Sequence, residues 1–412
     1  MHTSSSTPSS PYDAIIVGAR CAGSPTAMLL ARMGHRVLVV DRSTFPSDTT
    51  STHMVHAPGV AALDRWGLLD EVAGSGCPPI TRYSFDFGPF TIAGTPGTSS
   101  GPGVAYSPRR MVLDTILVDG AVAAGAEVRQ GFSVDEVVTE DGRVVGIRGR
   151  DARGREVVER ARIVIGADGW HSRVATAVGA AHYHQVPQLQ WSAYSYWRDL
   201  PVDGFETYIR PGRGWAAMAT NDGLTMLVVG WPAAEAAAFK SDVERNYLAT
   251  LDLVPEFAAR VAGATRVERF AGGTVPNFFR TPHGPGWALV GDAGYTRDSI
   301  TGQGISDAFR DAESIAAALD AVWSGARRFD DVMGERQRRR DASQMPMFEF
   351  TTQLARLEPP PPELGELLAA VSASRPAMDA FASMAAGILS PAVFFDRAHL
   401  GPLLGMAGTA AA

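Results

Sequence analysis

Residues 12–41 decide the fold, and they read YDAIIVGARCAGSPTAMLLARMGHRVLVVD. The apolar run 14–17 ends at Gly18, which is typical of a buried parallel strand. Residues 27–32 have helical composition, Gly34 closes that helix, and 36–40 form a second apolar strand that ends at Asp41. The stretch therefore predicts one βαβ unit, and its length suits that motif.

The turn between the first strand and the helix is Gly18-Ala19-Arg20-Cys21-Ala22-Gly23. A dinucleotide-binding turn needs a glycine at its start, a helix N-terminus directed at the pyrophosphate and a small residue for close helix packing. It also needs a carboxylate for the ribose hydroxyls. Gly18, Gly23 and Asp41 meet these needs, whereas Arg20 replaces the second glycine. The pattern also fits a strand-to-helix turn that binds nothing, with Asp41 as a helix cap or a surface charge.

Two later motifs also follow apolar strands. Gly166-Ala167-Asp168-Gly169 ends the strand 161–165, although Asp-Gly is also common in type I turns. Ala288-Leu289-Val290-Gly291-Asp292-Ala293 is followed by Gly302-Gln303-Gly304-Ile305, which opens a helix predicted over 305–323. Such a helix start presents free backbone N–H groups and the positive end of the helix dipole.

Composition narrows the class of protein. A chain of 412 residues predicts two interlocked domains or three, and the net charge of −7 argues against a nucleic-acid partner. Cys21 and Cys77 are too few for a disulfide framework or a metal cluster, so no metal site is expected and a reducing cytoplasm is the simplest setting. No apolar run approaches the ~20 residues that span a bilayer. We expect a soluble cytoplasmic protein, and its oligomeric state stays open.

Periodicity indicates the other elements. Helices are predicted over 60–72 and 111–124, a strand over 126–128, and a meander over 134–165. Residues 78–107 suggest irregular strands or a loop. Alternation over 188–231 predicts a separate antiparallel sheet, and four prolines at 359–362 precede a final helical region. The fold class is therefore α/β, a Rossmann-type domain with an inserted antiparallel β-sheet domain and C-terminal helices.

The order and spacing of the three motifs resemble the FAD-dependent aromatic hydroxylases typified by para-hydroxybenzoate hydroxylase, the class A flavin monooxygenases. The resemblance covers roughly residues 12–330, and geranylgeranyl reductases and flavin-dependent halogenases share the scaffold. It implies FAD as cofactor, NAD(P)H as co-substrate, and oxygen transfer from a C4a-hydroperoxyflavin. The substrate class implied is a hydrophobic, aromatic or polycyclic natural-product-type molecule that is hydroxylated or epoxidised.

The resemblance also assigns residues to the cofactor. The motif around Asp168 is linked to both FAD and NADPH, Asp292 binds the ribityl chain, and Arg110 reaches the pyrophosphate or the ribityl region. The full set of expected cofactor residues is Gly18, Arg20, Ala22, Gly23, Asp41, Arg42, Arg110, Val134, Asp168, Asp292, Gly302, Gln303, Gly304 and Ile305. Ser299 follows Asp298 where the family often has proline, so a differently shaped loop is expected there.

Candidate reaction residues are fewer. Residues 51–56 pass the flavin ring edge in the family, which makes His53 a candidate proton donor or substrate clamp, or else an ordinarily exposed loop histidine. Tyr194, Tyr196, Tyr208 and Trp215 can line a flat substrate pocket, although strand aromatics more often only pack. The C-terminal helices can cover this pocket, form a dimer face or form core.

The predicted segments are a disordered tail at 1–11, an FAD-binding domain at 12–77, 106–180 and 276–335, a substrate domain at 78–105 and 181–275, and a C-terminal helical region at 336–412. Two alternatives stay open: a reductase or dehydrogenase on the same scaffold, and a binder or cyclase in which FAD is structural. A halogenase is not expected, because halogenases of this scaffold use a lysine beside the substrate. The sole lysine, Lys240, lies at a predicted solvated helix start, and the chain lacks a Trp-x-Trp-x-Ile-Pro pattern.

Overall fold

The computed structural model describes residues 11–97 and 103–405, so the predicted tail at 1–11 lies outside it except for Pro11. Up to residue 166 the chain forms β1 (Tyr12–Val17), α1 (Gly23–Arg32), β2 (Val37–Asp41), α2 (Ala57–Trp66), α3 (Leu69–Gly74), β3 (Tyr83–Asp86), β4 (Thr91–Gly94), α4 (Arg110–Ala123), β5 (Glu127–Gln130), β6 (Ser133–Glu140), β7 (Arg143–Arg150) and β8 (Glu156–Gly166).

Residues 173–296 form α5 (Arg173–Ala177), β9 (His182–Val186), β10 (Gln190–Arg198), β11 (Phe205–Arg210), β12 (Arg213–Ala219), β13 (Leu224–Pro232), α6 (Ala236–Ser241), α7 (Val243–Leu251), α8 (Pro255–Ala262), β14 (Thr265–Arg266), β15 (Ala271–Gly273), β16 (Asn277–Arg280), β17 (His283–Gly284), β18 (Trp287–Leu289) and β19 (Tyr295–Thr296). The later helices are α9 (Gly304–Trp323), α10 (Phe329–Leu354), α11 (Pro362–Ser372), α12 (Arg375–Ala385), α13 (Pro391–Phe394) and α14 (Arg397–Leu403).

The predicted βαβ unit forms the centre of a parallel sheet in the order β18-β8-β1-β2-β5. Successive residues of β1 point to opposite faces. Ile16 packs with α1, α4 and α9, whereas Ile15 packs with the meander β6-β7-β8. Each of these side chains is fully buried, which stabilises the fold by about 1.5–3 kcal/mol. The continuous apolar run follows from this burial on both faces.

The inserted sheet has the order β14-β10-β13-β12-β11-β3-β4, with β15 also paired to β10. Its pairs are antiparallel except β3 with β11, which is parallel. Helices α6 to α8 pack against one face, and the FAD-binding domain together with the C-terminal helices contacts the other. The predicted fold class is confirmed, and β3 and β4 show that residues 78–107 contribute ordered strands.

Several predicted boundaries differ from the structure. The helix predicted over 60–72 is two helices, because Gly67 adopts a left-handed conformation with φ +73° and ends α2. The predicted border between the FAD-binding domain and the C-terminal region, at 335/336, falls inside helix α10. The proline within this helix, Pro346, comes after that border and does not mark it. Strand β9 pairs with β16, and β16 with β19, in a third sheet outside the inserted one. Within the described ranges, no helix is long and apolar enough to cross a membrane.

Candidate functional site

A cavity of about 870 Å³ opens at the carboxyl ends of β1, β2, β8 and β18 and is called the first cavity here. Residues from every predicted motif line it: Gly18, Arg20, Ala22, Asp41, Arg42, Arg110, Val134, Asp168, Asp292, Gly302, Gly304 and Ile305. Of the predicted cofactor residues, Gly23 and Gln303 do not line it.

The turn after β1 depends on two glycines. Gly18 has φ +104°, and a Cβ on it would lie 2.4 Å from the Ala167 carbonyl oxygen. A Cβ on Gly23 would lie 1.7 Å from the Gly18 carbonyl oxygen, so Gly23 allows α1 to approach the strand. Ala22 caps α1 without a side-chain hydrogen bond, and the first turn of α1 has no acidic residue. The N-terminus of α1 is therefore suited to an anionic group.

Arg20 points along the wall of the first cavity and pairs with Asp114 at 2.5 Å and with the Ser47 hydroxyl at 2.9 Å. The fully buried Asp114 carboxylate also accepts two hydrogen bonds from Arg110, at 2.9 and 3.1 Å. Two guanidinium groups thus share one carboxylate, which leaves the wall with a net positive charge. A pyrophosphate fits such a wall.

Asp41 and Asp168 hold the backbone around the first cavity. Asp41 accepts hydrogen bonds from the Ala19 and Ser43 amides, both at 2.7 Å. Asp168 accepts the Ser172 hydroxyl at 2.5 Å and the Arg173 amide at 2.7 Å. Both carboxylates are largely satisfied by the protein, so each shapes the cavity as well as bordering it.

Asp292 is different because its side chain is exposed within the first cavity and makes no hydrogen bond to the described residues. Poor solvation deep in the protein raises the pKa of Asp292 to about 6, and the nearby Arg110 opposes this shift. A free carboxyl group at a strand end is a suitable partner for sugar-type hydroxyls. The donor set along the cavity therefore fits FAD, for which the N-terminus of α1 would hold the pyrophosphate and Asp292 the ribityl chain.

His56, which sequence reasoning missed, supports the loop 301–304. Its Nε2 donates to the Thr301 carbonyl at 3.0 Å, and its Nδ1 accepts from the Tyr83 hydroxyl at 2.8 Å. The carbonyl can only accept, so the hydrogen resides on Nε2. Burial lowers the pKa of His56 to about 4, which keeps the ring neutral. Gln303 turns away from the first cavity and donates to the Ala385 carbonyl at 2.8 Å.

A second cavity of about 380 Å³, called the apolar cavity here, meets the first at Thr52, Ser299 and Gly302. Its wall comes from the inserted sheet and from the C-terminal helices: Phe85, Phe87, Phe205, Ile209, Ala216, Met218, Val228, Phe350, Leu357, Phe381 and Phe395. The C-terminal helices thus cover this cavity. No sequence pattern indicated Phe85 and Phe87, because the irregular composition of 78–107 concealed β3.

The four predicted aromatic residues do not face the apolar cavity with their rings. Tyr208 and Trp215 border it, but their rings stack on each other at 5.1 Å and contact Phe257 of α8, on the opposite face of the sheet. Tyr194 and Tyr196 line neither cavity. Strand alternation explains this placement, because Thr207 and Tyr208 point to opposite faces.

His53 is fully buried, so the prediction of an ordinarily exposed loop histidine is wrong. It has φ +60°, and its Nε2 bonds the Tyr196 hydroxyl while its Nδ1 has no partner among the described residues. Burial and the nearby Arg110 lower the pKa of His53 to about 3. Its neighbours Thr52 and Met54 line the apolar cavity, but His53 itself lines neither cavity. The side chain of this candidate catalytic residue therefore lies away from both cavities, whereas the residues on either side of it in the chain border the apolar cavity.

A family profile described as "FAD binding domain" matches residues 11–345. The chain belongs to this family. It therefore has an FAD-binding domain over these residues, as the resemblance implied.

Two curated relatives show how far the similarity reaches. Protein FixC of Salmonella typhi is 36% identical over 180 residues, which cover 41% of this chain and 39% of that protein. The chain therefore spans about two fifths of the FixC proteins it matches. Digeranylgeranylglycerophospholipid reductase of Methanocella arvoryzae is 28% identical over 314 residues, covering 73% of this chain and 75% of that protein.

Solved structures share the fold. The myxobacterial chondrochloren halogenase CndH superposes with a TM-score of 0.77 at 24% identity, covering 89% of this chain and 91% of that one. PqsL of Pseudomonas aeruginosa, a probable FAD-dependent monooxygenase, gives a TM-score of 0.73 at 22% identity, covering 84% and 96%. At these identities the likeness shows the fold alone.

Proposed function

We propose that this protein is a cytoplasmic monooxygenase that uses NAD(P)H and O₂ to hydroxylate or epoxidise a hydrophobic ring-bearing molecule. The observation that carries the proposal is the apolar cavity, which joins the first cavity at Thr52, Ser299 and Gly302. Bound FAD supplies hydride uptake and oxygen activation. The chain supplies a site beside the cofactor from which the C-terminal helices exclude water.

Halogenation is the sharpest alternative, because CndH shares the fold. A flavin halogenase holds hypohalous acid near a lysine ammonium beside the substrate, and an arginine does not form the same adduct. The sole lysine, Lys240, lies in α6 with its Nζ 5.3 Å from the Trp191 ring centroid. Lys240 lines neither cavity. This placement favours oxygen transfer over halogenation.

A reductase is a second candidate, because the Methanocella relative is a digeranylgeranylglycerophospholipid reductase and the similarity covers 73% of this chain. An apolar cavity beside the flavin suits an isoprenoid chain as well as a ring. The two candidates differ in their need for oxygen, since a reductase adds hydride without O₂.

The test is to follow NAD(P)H oxidation and oxygen uptake by the FAD-loaded protein with a panel of neutral polycyclic phenols that includes 2-naphthol. A monooxygenase shows both NAD(P)H oxidation and oxygen uptake, and both rates increase when a ring compound that it accepts as substrate is added. A reductase oxidises NAD(P)H with its substrate under anaerobic conditions. Anaerobic turnover would contradict the proposal. Lack of any response to ring compounds would instead favour a protein in which FAD is structural.

A further inference from the structure

The wall of the apolar cavity contains almost no charge. Among the described residues that line it, only Glu358 carries a charged side chain at neutral pH, and that residue is exposed at the end formed by the prolines 360–361. No arginine, lysine or histidine within residues 11–97 and 103–405 lines the cavity. The nearby Arg210 and Arg213 are paired with Asp86 and Glu235, both at 2.8 Å, and do not line it.

The buried part of this cavity contains a hydrogen-bond acceptor, the Gln190 side chain. Gln190 is 5% exposed, and its Nε2 donates to the Asp298 carboxyl group. Asp298 Oδ1 also accepts the Ile300 amide at 3.0 Å, so a proton on this carboxyl group resides on Oδ2 and Oδ1 accepts from Gln190 Nε2. This leaves Gln190 Oε1 as the free acceptor. No described residue donates to Oε1.

Gly230 makes room for this amide. A Cβ on Gly230 would lie 2.4 Å from Gln190 Oε1, so the amide rests directly on the inserted sheet. Asp298 borders the first cavity while Gln190 lines the apolar cavity, so the acceptor lies near the junction of the two. A glycine in a strand commonly marks such a close approach.

We propose that the apolar cavity selects electrically neutral ring compounds that carry a hydroxyl or N–H group, with Gln190 Oε1 as the acceptor, and rejects the corresponding carboxylates. A carboxylate would lose its hydration without meeting a cation, and burying an unpaired charge is strongly unfavourable. It would also face the lone pairs of Gln190 and the negative charge of Glu358. A neutral donor loses less hydration and gains one hydrogen bond.

The inference rests on the proposed function only in taking the apolar cavity as the substrate site. Equilibrium binding to the oxidised, FAD-loaded protein tests it without turnover, so the two can fail separately. The ligands are 2-naphthol, its non-donating ether 2-methoxynaphthalene and the anion 2-naphthoate, followed through the flavin absorbance at neutral pH. We expect 2-naphthol to bind, the ether to bind several-fold more weakly, and 2-naphthoate at least about tenfold more weakly, ~1.4 kcal/mol.

Two variants and one control test which side chains cause these differences in ligand affinity. Gln190→Met keeps the length of the side chain without the acceptor and should remove the advantage of 2-naphthol over its ether. Glu358→Gln should strengthen 2-naphthoate binding and leave 2-naphthol within about twofold, since the exposed carboxylate repels an anion but not a neutral ligand. Glu363→Gln on α11 is the matched control, because Glu363 is exposed but does not line the cavity. It should change neither ligand.

Two variants that fill the apolar cavity with an added ring, called filling variants, test whether the ligand binds in this cavity. Ala216→Phe and Val228→Phe each place a ring in the apolar cavity from neighbouring strands, and retained FAD reports that the variant is folded. At least one should fold and lose 2-naphthol binding. The proposal is overturned if 2-naphthoate binds as tightly as 2-naphthol or if 2-naphthol does not bind. It is equally overturned if Gln190→Met leaves the preference for 2-naphthol unchanged, or if folded filling variants bind it normally.

Discussion

At the scale of single residues, the two carboxylates predicted to hold FAD perform different tasks. The Asp292 carboxyl group makes no hydrogen bond within the described part of the chain, whereas Asp41 accepts the Ala19 and Ser43 amides. Asp292→Ala should therefore weaken FAD binding and leave the stability of the FAD-free protein unchanged or slightly increased. Asp41→Ala should destabilise the FAD-free protein by ~1–3 kcal/mol, because two amides lose their acceptor. Titration with FAD and denaturant unfolding separate the two effects, and equal stability losses would contradict the assignment.

Asp298 predicts a pH dependence of stability. Burial raises its pKa from 3.8 to about 7, so between these pH values the native protein holds a proton that the unfolded chain releases. The contribution of Asp298 to the free energy of unfolding therefore falls as the pH rises through this window. The Asp298→Asn variant has no carboxyl group to titrate at this position. Each unit by which the pKa of Asp298 differs between the native and unfolded states corresponds to about 1.4 kcal/mol in the free energy of unfolding.

The FAD-free Asp298→Asn protein should consequently gain stability relative to the parent protein as the pH rises from about 4 to about 7, and the difference should then level off. Denaturant unfolding across this range measures it. Asn277→Ala is the comparison, since it removes the acceptor of the Asp298 backbone amide at 2.7 Å and leaves the carboxyl group in place. A pH-independent difference for Asp298→Asn would show that this carboxyl group is ionised in the native state.

Where a motif fixes the backbone, the sequence pattern indicated residues that the structure brings to the first cavity. Gly18, Asp168 and Asp292 follow strands that could be recognised as apolar runs, and all three border the first cavity. It did not identify Gln190, because a glutamine at the start of an alternating strand has no local signature. The same holds for His56, whose neutral state depends on burial by distant segments.

At the scale of elements, the glycines that begin α1 and α9 should respond differently to the same change. A Cβ on Gly304, at the start of α9, meets nothing within 4 Å. Gly304→Ala should therefore fold, since alanine is favoured over glycine in helices by about 1 kcal/mol. Its methyl group enters the cavity, and FAD affinity should fall about tenfold, ~1.4 kcal/mol. Gly23→Ala should instead unfold or lower the unfolding midpoint, because its Cβ overlaps the Gly18 carbonyl.

Gly365→Ala is the matched control for Gly304→Ala, because Gly365 is also helical with open space around its Cβ and lies in α11, outside the lining of both cavities. It should retain FAD affinity. If Gly304→Ala binds FAD as tightly as Gly365→Ala does, the start of α9 does not approach the cofactor.

Element prediction was most accurate for the parallel strands and for α4 and α9. It was weakest where long-range pairing decides the structure. Residues 83–86 pair with the nearby strand β4, but they join the inserted sheet through β11, which lies more than a hundred residues later. The alternation that locates an isolated strand does not indicate its partner, so the apolar cavity between β3 and the C-terminal helices could not be derived from the sequence.

At the scale of the whole molecule, we propose that this chain places a neutral ring beside FAD for oxygen transfer. The most direct measurement is mass spectrometry of the product formed by the FAD-loaded protein with NAD(P)H, ¹⁸O₂, bromide and the best-binding neutral phenol. We expect the product to gain one ¹⁸O atom and no bromine. A brominated product that disappears in Lys240→Ala, or a reduced product without label, would contradict it.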